Sequence, residues 1–361
     1  MQHTFRAVLV LLFLLAVLPP PSVPACTSFF LTDKNAKIFG FNFDWSMGHG
    51  YLIVNKRHVH KTAMPGYGTD PGPWAAWTSQ FGSLTFNQYG REMPMGGINE
   101  AGLVVHMMML RSTQYPSRDK RPAIKDLQWI QYQLDNFSTV NEVLTAVPKL
   151  RITIEEPGLH YLVADRMGNC AAVEFIEGQL VTHAGKVLPV NVLTNNTYAD
   201  SAKHLRKHHG FGFEWPIPSG PGSLDRFVRT AHLLQQYDSE QAVDPVEYGF
   251  EVLASVRQRS TQWSIVYYMQ QGRVYFRTFA NLRTRFANMA DFNFECADPV
   301  RVLSLTDNLK GDVSRQLSVY TPLVNRDMIN IAFKGTYFFE FTPHTLVEKR
   351  VRYPESTTCM K

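Results

Sequence analysis

Apolar and polar residues alternate over Thr27 to Leu31 and again over Ala36 to Phe43, a period of two that predicts a hairpin turning at Thr32-Asp33-Lys34-Asn35. Gly82 to Phe86 and Gly102 to Leu110 predict further strands, and the Gly- and Pro-rich stretch Met64 to Trp74 predicts a surface loop. Helical spacing follows over Ile124 to Phe137 and Thr139 to Val147. Thr139 and Glu142 fit a capping box at the start of the second helix, and the two helices are expected to pair. His160 to Ala164, Ala171 to Ile176 and Val187 to Thr194 read as strands. Ala199 to His208, Ser223 to Gln236 and Gln241 to Arg257 read as helices, with a loop from Gly210 to Gly222. Trp263 to Met269 and Arg273 to Phe279 predict a second hairpin around Gln270-Gln271-Gly272. Strands, helices, strands, helices and strands in that order predict an α+β chain with two layers of each kind, not alternating βαβ units. No repeat, low-complexity tract or linker divides residues 26–361, which read as one domain.

The amino terminus breaks this pattern. Arg6, an apolar run from Ala7 to Leu18, and then prolines and small residues up to Ala25 have the order of a secretory signal covering residues 1–25. The run is about half of the roughly 20 residues a spanning helix needs, and no later segment is both long enough and free of charge, so the mature chain is not expected to insert stably in a membrane. Val23 and Ala25 place the cut before Cys26, and export would end in the periplasm or the medium. An apolar content of 45% supports a substantial core. The net charge is +5, and its basic residues are scattered apart from Lys203 to His209, which argues against a nucleic-acid partner. Four cysteines are too few for a disulfide scaffold. If Cys26 stays free, at most one bridge forms, and Cys296 with Cys359 is the pair chosen, although spacing alone gives no geometry.

Cleavage before Cys26 would give that residue what no internal cysteine has, an α-amine, ordinarily titrating at roughly 7.7 to 8.0, beside its own thiol. The amine can take the thiol proton, the thiolate can attack an amide carbonyl to form a thioester, and the ammonium can protonate the departing amine. Two other readings stand beside this one. Val23-Pro24-Ala25-Cys26 loosely resembles a lipobox, which would make the chain a lipoprotein or binding protein acylated on Cys26, but Pro24 fits it poorly. Cys26 could also be a buried or bridged structural cysteine. A papain-like protease would need a general-base histidine in a papain-like setting, and none of the twelve histidines has one.

Downstream of Cys26-Thr27 come Gly40-Phe41-Asn42-Phe43-Asp44-Trp45, Trp77-Thr78-Ser79, Gly97-Ile98-Asn99-Glu100-Ala101-Gly102-Leu103, Leu193-Thr194-Asn195-Asn196, Asp225-Arg226-Phe227-Val228-Arg229 and Ser260-Thr261-Gln262-Trp263. In order and spacing these motifs resemble the choloylglycine hydrolase and penicillin V acylase family, especially its exported Gram-negative members, over roughly Cys26 to Phe279. The tail beyond is less diagnostic. The resemblance implies a four-layer αββα sandwich of the N-terminal-nucleophile hydrolase kind, needing no cofactor or metal. It implies Cys26 as nucleophile and base, Asp44 holding the α-ammonium and thiol, Asn195 and the backbone N–H of Met109 as oxyanion donors, and Arg226 beside the thiolate. The chain departs from the pattern at Phe41, where many members carry an arginine, so that wall is expected to be more apolar and the thiol pKa higher. Phe41, Trp45 and Met47 are then expected to contact substrate, as is Met109, while Trp74, Trp77 and the neighbouring methionines are more simply core. The implied substrate is a small linear amide with a hydrophobic acyl group, such as penicillin V or an N-acyl homoserine lactone, with a bile-salt preference as the alternative. Members are often tetramers, so a homo-oligomer is compatible with the resemblance. His204 and His208, four apart on a helix, lack a third ligand and read as a solvated basic face.

Overall fold

A computed structural model describes residues 25–65, 72–153, 157–238, 240 and 244–360. Most of the expected signal, the centre of the Met64 to Trp74 loop and the first residues of the expected Gln241 helix lie outside the described residues. The hairpin at the mature end forms as the alternation predicts. Strands Thr27–Thr32 and Lys37–Asp44 pair antiparallel with Thr27 opposite Asn42. Thr261–Tyr268 then pairs with Lys37–Asp44 on its other side, so the first strands of the chain sit inside a seven-stranded sheet.

A second sheet of nine strands runs through Cys170–Ile176, Leu159–Ala164, Val104–Met109, Pro94–Asn99, Ser83–Asn87 and Tyr51–Asn55. The two sheets meet through their aromatic faces. The rings of Phe39 and Phe41 lie on His106 of the other sheet, and Phe86 reaches across to Trp263, Tyr267 and Phe276. Because side chains alternate along a strand, Ile38, Asn42 and Asp44 point the other way, toward a helical layer. There Asn42 donates to the carbonyl of Leu253 in helix Pro245–Ser255, and Gly249 of that helix comes so close that a Cβ would stand 3.1 Å from Ile38. Helix Asp126–Asn136 covers the outer face of the nine-stranded sheet over Pro94–Asn99 and Val104–Met109. These are the four αββα layers.

Several expectations change at this level. Helix Asp126–Asn136 packs on the sheet instead of pairing along its successor Val140–Ala146, although the Thr139 and Glu142 capping box forms. Its start is displaced because Ala123–Lys125 pairs with Arg151–Thr153 as a short strand. Only Val192–Leu193 of the expected Val187 to Thr194 strand pairs with its neighbours, since Gly185–Val187 forms a 3-10 turn and Pro189 lacks the N–H a ladder needs. Gln179–Ala184 supplies the strand instead, joined to Cys170–Ile176 by Glu177 (φ 52°) and Gly178 (φ 75°). Both central residues have positive φ, as a two-residue hairpin turn that matches sheet twist requires. Helix Pro245–Ser255 begins where Pro245 occupies the first turn and Asp244 caps Val246 and Glu247.

The carboxyl-terminal part is folded against this frame. Helices Pro322–Lys334 and His344–Arg352 pack together, and Asn325 donates to Val351 O while accepting from Arg91 N. Cys296 and Cys359 form a disulfide, and Cys26 and Cys170 are free and buried. No helix among the described residues is long and apolar enough to cross a membrane.

Candidate active site

Cys26 directly precedes the first strand, and Asp44 closes the strand paired to it, so the hairpin register brings both to one end of the seven-stranded sheet. Thr261 of the third strand stands opposite Asp44 at a bulge and donates its hydroxyl to Oδ1 at 2.5 Å. Oδ2 is buried and has no hydrogen-bond partner among the described residues. Burial raises the Asp44 carboxyl to about 7 against the opposing pull of Thr261, Arg226 and Arg257. Burial, and then the charge of Asp44, push the Cys26 thiol up to about 12, although a backbone hydrogen bond from Asp44 and the positive Arg226 favour ionisation. With Ala25 still attached, both groups are therefore held away from their charged forms. A single positive charge delivered between them would relieve both.

Arg226 leaves the first turn of helix Ser223–Gln236 and is fully buried. Its Nη1 donates to Cys26 O at 2.7 Å and to Thr27 Oγ1, and its Nη2 donates to Asn195 Oδ1 at 2.8 Å. Its hydrogen bond to Cys26 is to the main-chain carbonyl, and its charge acts on the thiol beside it. Asn195 follows the short strand Val192–Leu193, gives its main-chain N–H to Ser223 Oγ, and donates from Nδ2 to Met109 O at 2.8 Å. This network fixes the amide orientation, because the guanidinium needs the oxygen and the carbonyl needs the nitrogen. One Nδ2 hydrogen remains available. Met109 stands opposite Leu159, and Leu110 N bonds Gly158 O. By the alternation of antiparallel ladders, the N–H and C=O of Met109 then both point away from the Leu159 strand, toward Asn195.

Beside Cys26 opens a largely apolar cleft lined by Phe43, Trp45, Tyr89, Met107, Met109, Leu159 and Phe339, with Asp126 also among its lining residues. Trp45 and Met109 lie where the sequence suggests. Phe41 and Met47 do not line the cleft. Phe41 lies one side-chain repeat further from the strand end than Phe43, which places its ring in the inter-sheet core, 4.1 Å from that of His106. His106 is itself pushed well below its ordinary value by burial and faces the Tyr267 hydroxyl at 2.7 Å. Met47 packs against the end of helix Pro322–Lys334, where a Cβ on Gly335 would stand 2.7 Å from its Cε. Phe43 was within reach of sequence reasoning, since the hairpin register that sets Thr27 on Asn42 sets Cys26 on Phe43. Tyr89 and Phe339 had no such signal. Phe339 comes from the tail and meets Tyr89 with ring centroids 5.1 Å apart. His204 and His208 approach each other at 3.3 Å, and no group of three or more metal-ligating side chains occurs among the described residues.

Comparison with known proteins places this geometry in context. The family pattern of linear amide C–N hydrolases, choloylglycine hydrolase family, matches residues 26–302. The penicillin V acylase of Pectobacterium atrosepticum is 27% identical over 207 residues, 53% of this chain and 54% of the relative, so the match spans about half the length of that protein. Among solved structures, penicillin V acylase from Agrobacterium tumefaciens superimposes with a TM-score of 0.72 at 25% identity, covering 82% of this chain and 98% of the other. A conjugated bile acid hydrolase from Clostridium perfringens shares the fold at a TM-score of 0.61 and 19% identity, over 82% of this chain and 96% of the other.

Proposed function

The chain belongs to the choloylglycine hydrolase family of linear amide C–N hydrolases, and from that membership we propose that it cleaves an amide with an apolar acyl group, using Cys26 as nucleophile once the segment before it has been removed. The observation that carries this reading is the pairing of a buried thiol, at the mouth of an apolar cleft, with a buried Asp44 carboxylate oxygen that lacks a partner among the described residues. A new α-amine at Cys26 would supply the missing charge. As an ammonium it would donate to Asp44, lower the carboxyl from about 7, and favour the thiolate beside it. Arg226 would hold the Cys26 carbonyl so that the terminal residue keeps its place after cleavage.

In the proposed cycle the amine accepts the thiol proton and the sulfur attacks the substrate carbonyl carbon. The oxyanion receives the Met109 N–H and the free Nδ2 hydrogen of Asn195. Collapse breaks the C–N bond, the ammonium gives its proton to the leaving amine, and a thioester remains. Water, deprotonated by the same amine, then attacks the thioester, releasing the acid and restoring the thiol. No cofactor or metal enters these steps. The acyl group would occupy the cleft of Phe43, Trp45, Met107 and Phe339, which offers apolar contact and few polar readers. Penicillin V, named for two similar proteins, and N-acyl homoserine lactones are the first amides to try.

Export with loss of residues 1–25 belongs to the same proposal, ending in periplasm or medium. The intact mass of the active protein tests it. The expected terminus is Cys26 with a free amine, whereas a diacylglyceryl adduct on Cys26 would favour the lipoprotein reading, and full activity in a chain retaining residues 1–25 would overturn the proposal.

A further inference from the structure

Behind the Asn195 loop lies a charged pair that the cycle above does not use. His160, on strand Leu159–Ala164, is fully buried and has acceptors at both ring nitrogens. Nδ1 is 2.9 Å from Glu174 Oε1, and Nε2 is 2.7 Å from the main-chain carbonyl of Thr194. A carbonyl oxygen cannot donate. Glu174 is ionised, because hydrogen bonds from His160 and the Tyr198 N–H, with His183 3.5 Å away, hold it at about 2 against the opposite push of burial. Both ring nitrogens must therefore carry hydrogen, which makes the ring an imidazolium inside the protein. Such a charge is tolerable only because its counter-ion is in direct contact.

Both members of the pair clamp the same short stretch of chain. His160 holds Thr194, the residue before Asn195, while Glu174 accepts the N–H of Tyr198 at 2.9 Å, where helix Tyr198–Leu205 begins. We propose that His160, charged by its pairing with Glu174, is a positioning residue that fixes the Thr194 carbonyl and so aims the Asn195 amide at the reacting carbonyl. The inference rests on the proposed oxyanion role of Asn195. The groups that face His160 are few. Glu174 and, beyond it, His183 come from the two strands on one side, Met108 from the strand on the other, and uncharged Ser28, in contact with Met108, from the opposing sheet. Tyr198 N–H comes from the helix, and the cation past Asn195 is Arg226. A ring carrying a single proton could serve only one of its two acceptors, leaving either Glu174 or the Thr194 carbonyl without its bond.

The two partners separate by substitution. In E174Q the new amide can donate to Nδ1 and its oxygen can still accept from Tyr198, so a neutral His160 keeps its bond to Thr194 at every pH. In H160F that bond is gone. The test uses the processed protein on one linear amide, with nitrogen NMR of the histidine rings and H160Q to assign His160. At neutral pH both His160 nitrogens should be protonated in the parent and only one in E174Q. H160F should lose about tenfold or more in kcat with KM within about twofold, the pattern of a displaced transition-state donor. E174Q should keep more of kcat than H160F and show a flatter alkaline limb than the parent. A neutral His160 in the parent, or an H160F enzyme with parental kcat, overturns the inference. A parent that cleaves no amide, with His160 still doubly protonated, would instead overturn the hydrolase reading while leaving the charged pair in place.

Discussion

Two clusters of charge lie inside the sandwich, one around Lys61 and one around Cys26, and burial acts on them with opposite results. Lys61 meets Glu92 at 2.5 Å and Asp135 at 2.8 Å, and Asp135 also accepts from Trp77 Nε1 and Gln131 Nε2. Burial would lower the ammonium, yet the two carboxylates outweigh it and hold Lys61 above its ordinary value. Around Cys26 the balance is reversed. Thiol and carboxyl are both driven toward neutrality, and one Asp44 oxygen is left without a partner among the described residues. With Arg91 3.4 Å from the other oxygen of Glu92, two cations face two carboxylates, and a cluster matched in this way within the fold ties together a strand, a turn and a helix. A cluster one positive charge short can receive a group that arrives later, which under the proposed function would be the amine made by cleavage.

The sharpest break of this comparison is at Cys26. Cys26→Ala should abolish turnover, and so should retention of Ala25, which makes the amine a non-basic amide nitrogen. With the thiol at about 12, an uncleaved chain at pH 8 holds only about one part in ten thousand as thiolate, so iodoacetamide should label Cys26 quickly only after processing. Equal labelling of both forms would mean that the amine does not activate the sulfur.

Lys61→Met tests the matched cluster. It leaves buried Asp135 without its counter-ion and Glu92 with Arg91 alone, and should destabilise the fold by about 3 to 5 kcal/mol, read as a lower urea midpoint. The molecules that remain folded should keep their kcat and KM. Loss of activity at unchanged stability would show that the two clusters communicate.

Asn195→Ala comes next, at about 2.7 to 4 kcal/mol of transition-state stabilisation, a fall in kcat of roughly a hundredfold or more. A rise in KM alone would reassign Asn195 to substrate binding. This residue also shows what could be read in the sequence. The motifs gave the positions of Cys26, Asp44, Asn195 and Arg226, and the structure brings all four together, because each lies at the end of a strand or helix that periodicity alone predicts. Direction was harder. Phe41 and Phe43 share a face, yet only Phe43 reaches the cleft, since the choice depends on how far the opposing sheet extends over each. The tail was illegible for another reason. Phe339 lies between helices Pro322–Lys334 and His344–Arg352 and reaches the site by meeting Tyr89, a contact between distant segments of the chain that no local period records.

The pH dependence of stability sharpens the contrast more finely. In the uncleaved chain Asp44 has its folded value raised to about 7 from 3.8. Between these values the folded state keeps a proton that the unfolded state has lost. Stability should therefore decline as pH rises through that window, by up to about 1.4 kcal/mol per unit. In Cys26→Ala protein beginning at residue 26, the α-ammonium should flatten that slope. Urea midpoints at pH 4 to 7 for the two forms measure it, and parallel curves would mean that the amine does not reach Asp44.

The smallest effect concerns the substrate. Phe43, Trp45, Met107 and Phe339 give the cleft apolar walls, and the only charged side chain among its described lining residues, Asp126, already accepts the Leu127 N–H at 2.7 Å. Selectivity should therefore lie on the acyl side. Each further methylene buried contributes about 0.8 kcal/mol, or roughly fourfold in kcat/KM, until the chain meets the end of the cleft. A series of N-acyl homoserine lactones of rising length should climb in such steps and then level. Penicillin V and a conjugated bile salt extend the test, because a flat phenoxy group and a rigid steroid need different widths between Trp45 and Phe339. Phe339→Ala opens that wall and should move the plateau to longer or broader acyl groups while lowering the gain per methylene, since one face of the chain then meets water. Flat rates across acyl groups with sharp discrimination among amines would put the recognising surface on the other side of the scissile bond, and the cleft beside Cys26 would then hold the leaving group.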